Sequence, residues 1–239
     1  MKRHFLLGIF IFVLAAMGLS SCNNDDLQAD MAVDVFTVTR WGADSTIIYG
    51  LALHDYGNKD LSKVTVTGPS GTQYSLSSYM GLTYDFYQEP DSELFSKTMP
   101  ATGNYTFDAT FSSGETLEDE DVLNTSVLQP AKITSFEFDA DTVRFELHWK
   151  PVEDADYYVV DLYDGDGDIV FNGSLAASSS SSLLSGSITA ASEGWLNDYS
   201  PVNGTKYKVS VQSYAYQNST SSFYIKAKSI ADAWAVWGN

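Results

Sequence analysis

Few residues in this chain have the types and spacing that chemistry needs. The sharpest motif is Asp164-Gly165-Asp166-Gly167-Asp168. Alternating aspartates can converge their oxygens on Ca²⁺. The EF-hand pattern, however, wants Gly at the sixth loop position and Glu at the twelfth, where Ile169 and Leu175 stand. The same run lies between Leu162-Tyr163 and Ile169-Val170-Phe171, so it also reads as a hairpin turn, because Asp-Gly favours tight turns between strands. The three histidines, His4, His54 and His148, are far apart in sequence. A nucleophilic triad needs a base held against its nucleophile, and a zinc site needs clustered His and Cys. Neither pattern is present, nor is a Gly-x-Ser-x-Gly elbow. Thirty-one acidic residues leave room for a carboxylate pair of the glycosidase kind, yet no spacing singles one out. The expectation is a chain that is not an enzyme and carries no cofactor.

Aromatic residues are the other candidates. Trp195 and Tyr199 fall in a long segment between strands, and Trp234 and Trp237 stand near the C-terminal end. Flat aromatic faces on loops would suit a sugar-binding surface, and exposed aromatic clusters mark interaction sites. The competing reading has the same rings capping a hydrophobic core.

These residues must be held by something, and the N-terminus says where. Met1-Lys2-Arg3-His4 is followed by an apolar run of 15 residues, Phe5 to Leu19. A positive start and a short apolar core are the parts of a secretory leader. A membrane-crossing helix needs about 20 apolar residues. The leader closes with Leu19-Ser20-Ser21-Cys22, which resembles the lipobox of bacterial lipoproteins. That resemblance implies cleavage before Cys22 and a diacylglycerol on its thiol. Cys22 is the one cysteine of the chain, and lipidation accounts for an otherwise unpaired thiol. The following Asn23-Asn24-Asp25-Asp26 is similar to the surface-export signal of Bacteroidota lipoproteins, and reads equally as a solvated acidic tether. The implied address is the outer membrane, facing the cell exterior.

Composition narrows the partners. The net charge is −18, and Lys2 and Arg3 leave with the leader, which takes the mature chain lower still. Nucleic acid needs a basic patch, so it is excluded, and anionic lipid head groups are disfavoured for the same reason. Membrane contact is expected through the N-terminal lipid alone, and the partner to be found is a glycan or a protein. Aromatics reach 14% against 18% charged residues. Tyr, Thr, Ser and Val are abundant and glycines are spread through the chain, as in antiparallel β structure with short turns.

Four segments follow: leader 1–21, acidic tether 22–31, one sandwich over 32–129 and another over 130–239. In the first sandwich, alternation predicts strands over 33–41, 46–54, 61–67, 73–76, 82–88, 94–99 and 103–111. Several short strands at close spacing suggest an immunoglobulin-like sandwich. Gly68-Pro69-Ser70-Gly71 is a strong turn signal. The second half carries Val143-Arg144-Phe145-Glu146-Leu147-His148-Trp149-Lys150-Pro151, then Tyr157 to Tyr163, then Gly204-Thr205-Lys206-Tyr207-Lys208-Val209-Ser210-Val211. These runs resemble a fibronectin type III module. The resemblance implies a Trp149 buried between two sheets and a Tyr207 whose hydroxyl bonds upstream backbone. It breaks between Ser174 and Trp195, where Ser178 to Ser182 are consecutive serines and the following segment is long.

Asp44-Ser45-Thr46 and Asp141-Thr142-Val143 resemble the O-glycosylation triplet of Bacteroidota secreted proteins, with Ser45 and Thr142 as acceptors. Taken together, the sequence predicts two tandem all-β sandwiches on a lipid anchor. They would serve as a binding or accessory module, or alternatively as a spacer or subunit of a surface assembly.

Overall fold

The computed structural model describes residues 28–176, 182–218 and 221–238. The leader, Cys22 and serines 178–181 lie outside them. Among the described residues no helix is long and apolar enough to cross a membrane.

Among the described residues fifteen strands form three sheets. In the first half they are β1 (Met31–Trp41), β2 (Ile47–Gly57), β3 (Leu61–Thr67), β4 (Gln73–Ser75), β5 (Ser77–Ser78), β6 (Asp85–Gln88), β7 (Gly103–Phe111) and β8 (Thr116–Leu123). The second half adds β9 (Lys132–Asp139), β10 (Arg144–Lys150), β11 (Tyr157–Tyr163), β12 (Ile169–Ala176), β13 (Leu184–Thr189), β14 (Lys206–Asn218) and β15 (Ser221–Val236). The expected strand over 94–99 does not form. Ser92–Leu94 is one turn of 3₁₀ helix, and Ser96 makes a single bridge to Tyr49.

The fold is all-β and sandwich-like, and its two sandwiches share a sheet. The largest sheet runs β12-β11-β14-β15-β1-β2-β6-β5. Its seam is the parallel pairing of β1 with β15, Thr37 to Arg40 against Ala227 to Ile230. The smaller sheets, β13-β10-β9 and β4-β3-β7-β8, lie side by side on one face of it. Val33, Val35 and Leu53 pack there on Val64, Val66, Phe107 and Phe111. Farther along the same face, Tyr158, Val160, Val209 and Ala231 pack on Phe145, Leu147 and Trp149. Between the two cores the connecting segment closes the gap, with the buried Thr39 hydroxyl donating to the Leu128 carbonyl.

The second half contributes the strand orders β9-β10-β13 and β12-β11-β14-β15. Trp149 is buried edge-to-face on Tyr158. The Tyr207 hydroxyl accepts the Val202 N–H at 3.0 Å. The first half has its own corner tyrosine: Tyr105 donates to the Ala101 carbonyl at 2.8 Å. Both lock a strand to its incoming loop.

β1 is buried on both sides. Phe36 and Val38 point away from the sandwich core, into a second cluster with Ala52 and Ile230. The segment after β6 covers them, and Gly50 lets it approach. A Cβ there would stand 2.6 Å from Pro90 and 3.0 Å from Phe95.

Candidate functional site

Side chains alternate along a strand, so the outer face of the shared sheet collects every second residue of its eight strands. Where β15 meets β1, that face is concave. A cleft of about 350 Å³ opens there, within the usual range of roughly 300–1,000 Å³ for small-molecule sites. Both halves build it. Phe36, His54, Tyr79, Asp85, Tyr87 and Glu89 come from the first half, facing Asp161, Tyr163, Gln212, Tyr214 and Lys228 from the second.

Two fixed polar chains line this cleft. In the first, Asp161, only 4% exposed, accepts from the Asn172 amide at 2.7 Å and from the Gln212 amide. The Gln212 carbonyl in turn accepts the Tyr214 hydroxyl at 2.8 Å. In the second, Glu89 accepts both the Tyr87 hydroxyl and the Lys228 ammonium, the latter at 2.6 Å. Lys228 is itself 7% exposed and lies 5.6 Å from the Tyr214 ring centre. At the mouth, His54 and Asp85 pair at 2.9 Å. The Tyr87 ring meets His54 and Tyr79 edge-on.

Burial sets the electrostatics. It pushes the Asp161 carboxyl above its ordinary range, against the opposing pull of the Asn172 bond, the Lys228 charge and the Gln212 bond. It also holds the Tyr87 and Tyr214 phenols well above theirs, so both hydroxyls stay protonated donors at neutral pH. Three carboxylates face one ammonium and one imidazole in this cleft. The arrangement offers oriented acceptors and aromatic faces to a ligand that is neutral or positively charged.

The residues singled out from sequence lie elsewhere. Trp237 is buried in the second core against Phe138 and Phe145. Trp195 and Tyr199 stack on each other half-buried against the same core, and the Trp195 indole N–H donates to the Thr189 carbonyl at 2.9 Å. Their segment also covers the free edge of β12, through Asn172 to Gly194 and Leu196 to Val170. That covering is the physical reason for the break in the fibronectin pattern, since bare strand edges invite aggregation. Trp234 is 53% exposed, under the Lys206 ammonium. Of the four rings, it is the one that is mostly exposed.

Asp164, Asp166 and Asp168 sit on the β11–β12 turn. The Asp164 carboxylate accepts the N–H groups of Asp166 and Asp168 and closes the turn. Among the described residues no three His, Cys, Asp or Glu side chains are grouped to hold a metal. Ser45, with φ at 60°, and Thr142 are exposed on turns. The Thr142 hydroxyl donates to Asp139.

Sequence reading missed the cleft. One signal for it was present: Val33, Val35, Phe36 and Val38 break strict alternation in β1, as a strand covered on both faces must.

No protein family and no curated protein matches this chain. Three solved structures resemble it weakly. One is the BSP domain of a biofilm-associated protein, with 12% identity, 87% of this chain covered and a TM-score of 0.26. Another is the FN1–FN3 fragment of chicken CNTN1, with 12% identity, 85% covered and a TM-score of 0.27. The third is a tetra-tandem repeat from the extending region of a large adhesion protein, with 16% identity, 87% covered and a TM-score of 0.27. The chain spans 30%, 63% and 50% of their respective lengths.

Proposed function

We propose that this chain is a lipid-anchored module of the outer membrane surface that binds a neutral glycan in the seam cleft and performs no reaction on it. The observation that carries the reading is the convergence, in one concave site, of tyrosine faces with a carboxylate and an amide held rigid by their own hydrogen bonds. Aromatic rings cover the apolar face of a sugar, and fixed acceptors take its hydroxyls. The excess of carboxylates turns anionic sugars away. The anchor rests on the leader and Cys22, and the division into 32–129 and 130–239 belongs to the same proposal.

The test is a printed glycan array probed with the full-length protein in detergent. The proposal expects retention on neutral glycans, lost in Tyr79→Ala at nearly unchanged melting temperature. The Tyr79 ring lines the cleft and is 44% exposed, so its removal takes away a ligand-facing surface and little of the core. Binding confined to anionic glycans, or equal binding by the variant, refutes it. The spacer reading is favoured by one observation, the inward packing of Trp195, Tyr199 and Trp237. Absence of binding to every glycan would put it first.

A further inference from the structure

The loop that leaves the cleft at Tyr79 and rejoins the sheet at Asp85 reads Tyr79-Met80-Gly81-Leu82-Thr83-Tyr84. It carries no charged side chain, in a protein whose net charge is −18. Tyr79, Met80, Leu82 and Tyr84 are all exposed, Met80 at 70%. Exposed apolar groups clustered this densely mark a contact surface. The loop is also fixed in place. Leu82 donates its N–H to the Tyr79 carbonyl at 2.9 Å, Gly57 to Tyr84 at 2.8 Å and Leu61 to Thr83 at 2.7 Å. The Thr83 hydroxyl donates to Asp60 at 2.6 Å.

Met80 has a φ of 50°. The left-handed region costs conformational energy for any residue but glycine, and such strain gathers at functional surfaces. Here it holds a large apolar side chain outward. Tyr79, at one end, meets Tyr87 edge-on at 5.4 Å in the cleft wall. Tyr84, at the other, meets the exposed Tyr56 edge-on at 5.5 Å.

We propose that this rim is an outer subsite for further units of the sugar chain whose end occupies the cleft, so that the ligand class is a neutral polysaccharide and not a mono- or disaccharide. The inference rests on the glycan reading of the cleft. Continuity names the occupant, since Tyr79 belongs to both surfaces and a chain leaving the cleft on that side runs onto the rim. An uncharged, preordered aromatic ledge loses little entropy on contact and needs no counter-charge on the ligand.

Neutral glycans graded in length from one to eight sugar units, printed on one array, test this with the full-length protein. The wild type should bind the long chains at least about tenfold more tightly than the short ones, a difference of one decade in Kd. Tyr84→Ala and Met80→Gly should bring the long chains down to the short-chain affinity and leave short-chain binding intact. Both side chains are solvent-facing, and glycine relieves the strain at position 80, so melting temperatures should hold. Length-independent binding, or equal losses on short and long chains, overturns the rim while the cleft stands. No binding to any neutral glycan overturns both.

Discussion

Lys228 of β15 reaches across the seam to Glu89 of the first half, and the ammonium and carboxylate meet at 2.6 Å with only 9% and 18% of their side chains exposed. Removing one partner leaves the other buried without compensation, which costs about 3–5 kcal/mol for fully buried pairs. Lys228→Met should fall at the low end of that range, because Glu89 keeps some solvent contact. The double variant Lys228→Met/Glu89→Gln should recover much of the loss. A double-mutant cycle in urea measures the coupling.

The first sandwich should weaken as pH rises. Asp34 and Asp55 are buried, and burial lifts their carboxyls from 3.8 to about 8 and about 7. Among the described residues neither Asp55 oxygen has a hydrogen-bond partner, and Asp119 and Asp85 add repulsion. For Asp34 the opposing charge is Asp121, against a stabilising bond from the Ile225 N–H. Between the unfolded and folded values the native state holds the extra protons. Stability therefore declines from about pH 4 to about pH 8 and then levels. Melting temperatures from pH 5 to 9 should follow that slope, and Asp55→Asn should flatten it.

Trp149→Ala should cost about 3–5 kcal/mol, as large aromatic deletions in cores do. Its ring is 1% exposed between the sheets of the second half. Denaturant unfolding is the measurement.

Trp195 and Trp234 should behave oppositely. Trp195→Ala removes a ring packed on Phe171 and Tyr199 and an indole bond to Thr189. It should lower stability by about 3 kcal/mol. Trp234→Ala touches an exposed ring and should stay within about 0.5 kcal/mol.

Cys22→Ser should abolish palmitate labelling of the chain. Continued incorporation would remove the anchor from the proposal.

Strands such as Leu61–Thr67, Gly103–Phe111 and Tyr157–Tyr163 were legible because one face of each meets a core and period two survives. Trp149 and Tyr207 were legible for a similar reason: a local pattern fixes each. β15 was not read. Its inward positions Ala227, Ala231 and Ala233 are small and give little contrast, and alanine is a poor strand former. Nor was the segment around Phe95 legible, since packing of Pro90 and Phe95 on Gly50 and one bridge from Ser96 to Tyr49 stand in for a strand. The cleft depends on β15, whose pairing with β1 joins its two halves. Its residues are scattered from Phe36 to Lys228, and the seam that unites them joins positions such as Asp34 and Ile225, 191 residues apart. Pairing at that distance leaves no local trace. A charged Asp161 inside the run Tyr157 to Leu162 and a lysine in an alanine-rich strand were its faint signs.

Because β1 is hydrogen-bonded to β2 along its whole length and to β15 at the seam, it is clamped from both sides. The chain leading back toward Cys22 enters at its N-terminal end. Tension applied through that tether, with a ligand gripping the cleft, pulls β1 lengthwise. The ladder bonds are then strained together, in shear, and cannot unzip one at a time. On the proposed anchoring, the same seam that assembles the cleft would then bear the load along β1.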